Sequence, residues 1–316
     1  MAHSQVEKRI AQKRHAKGIL VPLLVDLFSR SVEIEEDDLP FLLDLLEKMV
    51  TRQGVRNSRP VFSPSQLSSC LRYVYLLKHH SELGVFKKPS MRPEANYYFF
   101  TGNWIHLKWQ LALHKLDKRW PDEKFQLLGV EVPILSKRKD HGGTVDALVA
   151  IELEPVIVDF KGLNVRTFSE ITRGYVPPEY ALQIADYGML FNSPSQRALK
   201  ITKGLLVAEN KGGPDPKHPI ALHESEIPIK TYLPEIRGRL EVLRSHEQDG
   251  EIPEPECTST QTLQFQGCPF SGFCRKEVKE IQRRNAASED TEGYRVAVPG
   301  RNGNRRSRRN SKRRAG

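Results

Sequence analysis

Thr144-Val145-Asp146-Ala147-Leu148-Val149-Ala150-Ile151, followed after Glu152-Leu153-Glu154-Pro155 by Val156-Ile157-Val158-Asp159-Phe160-Lys161, decides how this chain is built. In the first run every odd-numbered position is apolar, and in the second every even-numbered position is. Side chains alternate faces along a strand, so each run presents one continuous apolar face. The short connection suits an antiparallel hairpin. If the apolar faces coincide, each opposed pair joins an odd to an even position, which sets Asp146 opposite Asp159 or Lys161. A slip of one residue would turn Asp146 to the other face.

Two carboxylates and an ammonium thereby meet. Hard oxygen ligands suit Mg²⁺ or Mn²⁺, which can generate hydroxide and stabilise charge on a phosphodiester. A neighbouring Lys can orient or deprotonate water and offset developing negative charge. Taken alone, the same three residues also describe the wet face of a half-buried sheet. Gly102 and His106 lie four apart on one helix face, and a small residue one turn before a His allows close approach to a sheet. His106 can complete a metal site or simply pack. Gln183 and Tyr187 share that spacing. Both can hydrogen-bond a phosphate or base and Tyr can stack, although surface or capping chemistry would use the same pair.

Outward from this centre the pattern is mixed. Strands are expected at 127–135 and 204–208, and helices at 96–116, 179–190 and 233–246, an α/β arrangement around a small sheet. An N-terminal helical region runs to about residue 53, where Asp37 and Asp38 precede Pro40 and an apolar helical pattern. Residues 54–60 form a polar junction marked by Gly and Pro. Ser63-Pro64-Ser65-Gln66 reads as a capping box opening a helix that carries Cys70, Arg72, Tyr73 and Tyr75.

Composition narrows the class. The 316 residues are 38% hydrophobic and 28% charged, which excludes a wholly disordered chain. The apolar stretch at 19–25 already contains Pro22 and falls far short of the ~20 residues that cross a bilayer. No apolar segment with a cleavage site opens the chain, so a soluble, cytoplasmic protein is expected. The net charge of +10 is concentrated at one end: residues 301–316 hold eight basic side chains and no acidic one, and without them the charge is +2. That tail cannot bury enough apolar surface to fold. It can hold phosphates non-specifically or serve only solubility.

Four cysteines remain: Cys70, then Cys257, Cys268 and Cys274, the last three separated by ten and five residues. Disulfides are disfavoured in a reducing interior. Buried free thiols are one reading. The other is a single metal centre, zinc or iron–sulfur, closing a long loop.

In order, Cys70, the Gly102-X-X-X-His106 helix, Gly143-Thr-Val-Asp146, Asp159-Phe-Lys161, Gln183-X-X-X-Tyr187 and the terminal cysteine trio resemble the RecB-like branch of the PD-(D/E)XK nucleases. More narrowly, they resemble the four-cysteine exonucleases related to the CRISPR adaptation nuclease and AddB-type helicase-nuclease subunits. The likeness spans about residues 63–274. It implies a restriction-endonuclease-like α/β core, a mixed central sheet flanked by helices, with an N-terminal helical region and a cluster-bound C-terminal segment. The organisation then reads 1–58 helical region, 59–280 nuclease domain and 281–316 basic tail. His106, Asp146, Asp159 and the Phe160 carbonyl would hold Mg²⁺ or Mn²⁺, Lys161 would be the catalytic lysine, and Gln183 and Tyr187 would position DNA. Cys70, Cys257, Cys268 and Cys274 would hold a [4Fe–4S] cluster, with structural zinc as the alternative because the ten-residue gap is longer than in relatives.

The activity implied is metal-dependent exonucleolytic hydrolysis of DNA, single-stranded and often from the 5′ end, in recombination, repair or CRISPR-type end processing. DNA, and a recombination or CRISPR adaptation protein, are the partners implied, with no membrane. A non-catalytic iron–sulfur DNA-binding or assembly subunit, and a structure-selective endonuclease, are the competing classes.

Overall fold

The computed structural model describes residues 18–30, 32–55, 61–85, 93–120, 124–193, 199–261 and 266–293; the basic tail at 301–316 lies outside them. Along the chain come α1 (Leu20–Phe28), α2 (Leu39–Val55), α3 (Pro64–Leu67), α4 (Leu71–His79) and α5 (Pro93–Arg119). Three strands follow, β1 (Phe125–Leu135), β2 (Gly142–Ile151) and β3 (Glu154–Leu163), then α6 (Val165–Thr172) and α7 (Pro178–Phe191). β4 (Lys203–Asn210), β5 (Leu222–Pro228), α8 (Ile229–Asp249) and α9 (Ser271–Gly293) complete the order.

The strands form one five-stranded sheet in sequential order. Every neighbouring pair is antiparallel except β3 and β4, whose parallel connection carries α6 and α7. This is the expected mixed sheet flanked by helices. β2 and β3 pair from Ala147↔Val158 to Ile151↔Glu154, the register that sets Asp146 opposite Asp159. Glu152 and Leu153 make the turn, both left-handed with φ of 52° and 69°. That backbone matches the strand twist in a two-residue hairpin.

The sheet is buried on both sides, which corrects the expectation of one wet face. Ala147, Val149, Val156, Val158 and Phe160 pack with Ile105, Trp109, Leu113 and Leu116 of α5. Leu148, Ile157 and Leu206 pack with Leu182, Ile184 and Ala185 of α7 and with Leu240 and Leu243 of α8. Parallel and central strands sandwiched in this way read as nearly unbroken apolar runs, as 147–151 does. At Gly204 an added Cβ would collide with the Ile184 side chain, so α7 sits directly on β4.

The N-terminal helices belong to the same core. Leu20, Leu24 and Leu27 of α1 and Leu45 of α2 are buried in the α5 layer. Glu224 of β5 accepts hydrogen bonds from the Ile19, Leu20 and Val21 amides at 2.7, 2.8 and 2.8 Å. A distant carboxylate thus satisfies donors that a helix start leaves open. Asp38, fully buried, accepts from the Glu35 amide at 2.8 Å and pairs with Lys115 and, at 2.8 Å, with Lys118 of α5. Burial works against the Asp38 charge, yet these hydrogen bonds hold its pKa well below the usual carboxylate range. Glu35, Asp37 and Asp38 gather within ligand distance of one another, but Lys115 and Lys118 already neutralise them.

Four elements differ from expectation. The helix opening at Ser63 is four residues long, and a second one starts at Leu71 with Cys70 at its N-cap. Ser63 makes no side-chain cap; its Oγ lies 3.0 Å from Ser65 Oγ instead. β5, α6 and α9 were not foreseen: Leu222-His-Glu-Ser-Glu-Ile227 is a largely polar edge segment, Val165–Thr172 a short amphipathic helix, and Ser271–Gly293 a helix where a cysteine-bearing loop and a basic tail were expected. Among the described residues no helix is long and apolar enough to cross a membrane.

Candidate metal centre and cysteine pocket

Strand order and register bring the polar residues of β1, β2 and β3 to one end of the sheet, where α5 crosses it. Asp146 and Asp159 are buried, at 4% and 1% exposure, although both are carboxylates. Groups so rarely buried need partners. Asp146 Oδ2 accepts from the Phe160 amide at 2.9 Å, and its Oδ1 lies 3.2 Å from His106 Nδ1. Asp159 Oδ2 lies 2.7 Å from Lys161 Nζ, while Gln183 Nε2 donates to Asp159 Oδ1 at 3.1 Å. The fold therefore brings together five residues of the anticipated set, His106, Asp146, Asp159, Lys161, and Gln183 from α7.

Electrostatics separate the two carboxylates. Burial opposes charge on Asp146, but the charge and hydrogen bond of His106, the charge of Lys161 and the Phe160 amide hold its pKa far below the ordinary value. Burial pushes Asp159 up; Lys161 resists this and the Asp146 charge adds to it. Lys161 is raised despite burial, because Asp159 and Asp146 stabilise its charge. His106 is likewise raised against its burial by Asp146. Two neighbouring acids pushed apart in this way are typical of reacting centres.

Glu131 joins the centre, and sequence reasoning missed it. In β1, Val130 pairs with Ala147 and Val132 with Val145, so Glu131 stands across from Asp146. It is 5% exposed, and its φ of 49° is unusual for a strand residue. Donor atoms of His106, Glu131 and Asp146 all lie within 4.8 Å of one another. Gln110, one turn beyond His106, fixes the arrangement: its Nε2 donates to Glu131 Oε1 at 3.0 Å and to the Asp146 carbonyl at 2.8 Å. The available signal was a single carboxylate between Val130 and Val132. Its register depends on an irregularity between Leu127 and Gly129 that no local pattern announces.

Other expected residues fall as follows. Gln183 and Tyr187 are buried, at 8% and 4% exposure, so they are not surface or capping residues. Tyr187 sits beside Gly143, where an added Cβ would stand 3.3 Å from its hydroxyl. Gly102 provides no close approach to the sheet: an added Cβ there would meet nothing within 4 Å. Phe160 is buried on the α5 side while its amide serves Asp146.

All four cysteines converge at a second place. Cys70, Cys257, Cys268 and Cys274 line one cavity of about 220 Å³ together with Tyr73, Leu76, Pro255 and Phe270. The Cys257 thiol is pushed up to about 11, by burial first and then by the neighbouring thiolates of Cys70, Cys268 and Cys274. Burial also raises Cys274, against the adjacent Arg72 guanidinium. Arg72 is itself buried, paired with Glu277 at 2.7 Å and hydrogen-bonded to the Pro253 carbonyl. Crowded thiols with raised pKa values are costly to ionise unless a cation compensates them. The donor set fits a thiolate-held metal group.

No family model matches the sequence, and no curated protein does. Among solved structures, SSO0001 is 18% identical over 75% of this chain and 95% of that chain, with a TM-score of 0.42. The alkaline exonuclease LHK-Exo from Laribacter hongkongensis is 12% identical over 76% of this chain and 98% of that one, with a TM-score of 0.41. LHK-Exo in complex with dAMP is 13% identical over 60% and 89%, with a TM-score of 0.40.

Proposed function

We propose that this chain is a metal-dependent deoxyribonuclease that hydrolyses phosphodiester bonds. The observation that carries the reading is the convergence of His106, Glu131, Asp146, Asp159 and Lys161 at one end of the sheet. His106, Glu131, Asp146 and Asp159, with the Phe160 carbonyl, would hold Mg²⁺ or Mn²⁺. A divalent ion in such a site supplies a nucleophile at neutral pH and polarises the phosphoryl oxygen. Asp146, held ionised, keeps a permanent negative charge facing His106. Lys161 stays charged and offsets the negative charge that develops on the attacked phosphate. Gln183 orients Asp159 through its amide bond. Tyr187, buried beside Gly143, would help position a DNA strand through the start of β2 that it packs against.

Following the motif resemblance, the substrate is single-stranded DNA degraded from an end, often the 5′ end among such relatives, in recombination, repair or CRISPR-type end processing. The region 59–280 would be the nuclease domain, with 1–58 as a helical region ahead of it; residues 281–293, expected in the basic tail, instead continue α9, and the basic residues cluster after them.

The four thiols would hold a [4Fe–4S] cluster. Tetrahedral zinc sets its sulfurs about 3.8 Å apart. Metal analysis decides between zinc and a [4Fe–4S] cluster, which uses the same four thiolates. Its role is to join the start of the nuclease region to its end.

Purified protein should degrade end-labelled single strands with Mg²⁺ or Mn²⁺, and Asp159→Ala or Lys161→Ala should abolish this. Undiminished activity in both variants excludes the assigned centre. DNA binding without metal-dependent turnover supports the assembly-subunit class instead, and cutting of closed circles supports an endonuclease. Anaerobic purification with iron, sulfide and zinc assays tests the cysteine site; zinc without sulfide removes the cluster.

A further inference from the structure

A cavity of about 670 Å³ opens between the turn joining β1 to β2 and the helices α7 and α8. Its inner wall is a fixed polar frame. His141, 1% exposed, lies 2.7 Å through Nε2 from the fully buried Asp186 Oδ2. Arg244 Nε donates to Asp140 Oδ2 at 2.8 Å, and Ser136 Oγ donates to Asp140 Oδ1 at 2.7 Å. At the mouth stand Arg138 and Arg237, both exposed. Among the described residues neither makes an ion pair, although Glu241 follows Arg237 by one helical turn. Lys137 and Lys139 extend the same turn, also exposed.

This concentration of charge matters because the body outside residues 301–316 is nearly neutral. The cavity also shares a helix with the metal centre. Gln183, which binds Asp159, and Leu190, which lines the cavity, are both on α7, about 10 Å apart along its axis. That separation is within the reach of one strand.

We infer that this cavity is a second binding subsite, which takes a backbone phosphate of the nucleic-acid strand whose scissile bond lies at the metal centre. Arg138 and Arg237 supply the unpaired charge, and the held Arg244 shapes the wall. Glu241 at the mouth disfavours a doubly charged free phosphate and tolerates a singly charged phosphodiester. The subsite rests on the nuclease reading and adds to it a grip away from the chemistry, of the kind that backbone-tracking grooves provide.

The test is binding of a fluorescent single-stranded oligonucleotide with metal withheld, followed over a salt series. In Arg138→Ala with Arg237→Ala, affinity should fall about tenfold, and the slope of log K against log salt should become shallower by about 0.7, one phosphate contact. The paired lysine variant should keep the wild-type slope. Hydrolysis of bis(p-nitrophenyl) phosphate, too small to reach the cavity, should be unchanged in both. Unaltered affinity and slope in the alanine variant, with wild type binding normally, overturn the subsite and leave the nuclease reading standing. Inorganic phosphate displacing the oligonucleotide at equal concentration also overturns it, in favour of a small-anion site. A wild type that neither binds the oligonucleotide nor hydrolyses either substrate defeats the nuclease reading, and the subsite with it.

Discussion

The carboxylate centre and the cysteine pocket both gather residues distant in sequence, but by opposite means. The first is built on regular elements: β1, β2, β3, α5 and α7 each contribute, and every charged group already has a partner within the protein. The second is built on segment ends. Cys70 caps α4, Cys257 and Cys268 lie in irregular chain, and Cys274 opens α9. Fully buried Leu76 and Phe270 line it, and Cys274 packs with Val278 and Cys257. A preorganised site keeps its geometry without a ligand, whereas a site of crowded thiols gains its order from what it binds.

Substitutions should therefore separate the two. Asp146→Asn removes the charge facing His106, and hydrolysis is expected to fall by roughly 10³-fold while the melting temperature moves by only a few degrees. Melting curves and single-turnover rates on one preparation check this; a collapse of the fold would show that the centre is structural. Cys257→Ser should do the reverse. Bound metal is lost and the melting temperature falls by roughly 5–10 °C, but the surviving folded protein keeps its rate below that transition. Metal analysis and differential scanning calorimetry are the readouts.

Asp38→Asn probes stability where neither centre is involved, and should cost about 3 kcal/mol because Lys115 and Lys118 lose a buried partner. Its pKa is depressed in the folded state. The stability it contributes is accordingly present above the unfolded value of about 3.9 and lost as pH falls below it. Denaturant titrations from pH 7 to pH 3 should show the wild type approaching the variant at the acid end. The mildest change is Glu131→Gln. It should raise the metal concentration for half-maximal activity about tenfold, with the cysteine pocket untouched by metal assay.

Much of the centre was legible in sequence because strand alternation is a local rule. Val145, Ala147 and Val149 against Val156, Val158 and Phe160 were enough to put Asp146 on one face with Asp159 and Lys161, opposite one or the other, and the register selects Asp159. Cys70 and the late trio could be grouped by type, and they do share a cavity. Glu131 could not be found in this way, because its facing partner depends on an irregularity in another strand. The burial of the carboxylates was equally invisible. Alternation identified one apolar face, yet Leu148, Ala150 and Ile157 are apolar on the other and are covered by helices from later in the chain.

The same division holds for the N-terminal helices. Their apolar positions announced helices, and an amphipathic stripe must be buried somewhere. Which surface receives it is a long-range matter, decided here by Glu224 at the start of α1 and by the Asp38–Lys115 pair. Residue order alone specified the types of the strongly patterned elements, the shared face of Asp146, Asp159 and Lys161, and the kinds of donor present, since these follow from nearest-neighbour geometry. Tertiary packing decided which donors meet, how deeply they are buried and which stay charged, because desolvation and Coulomb energy depend on everything that surrounds a group.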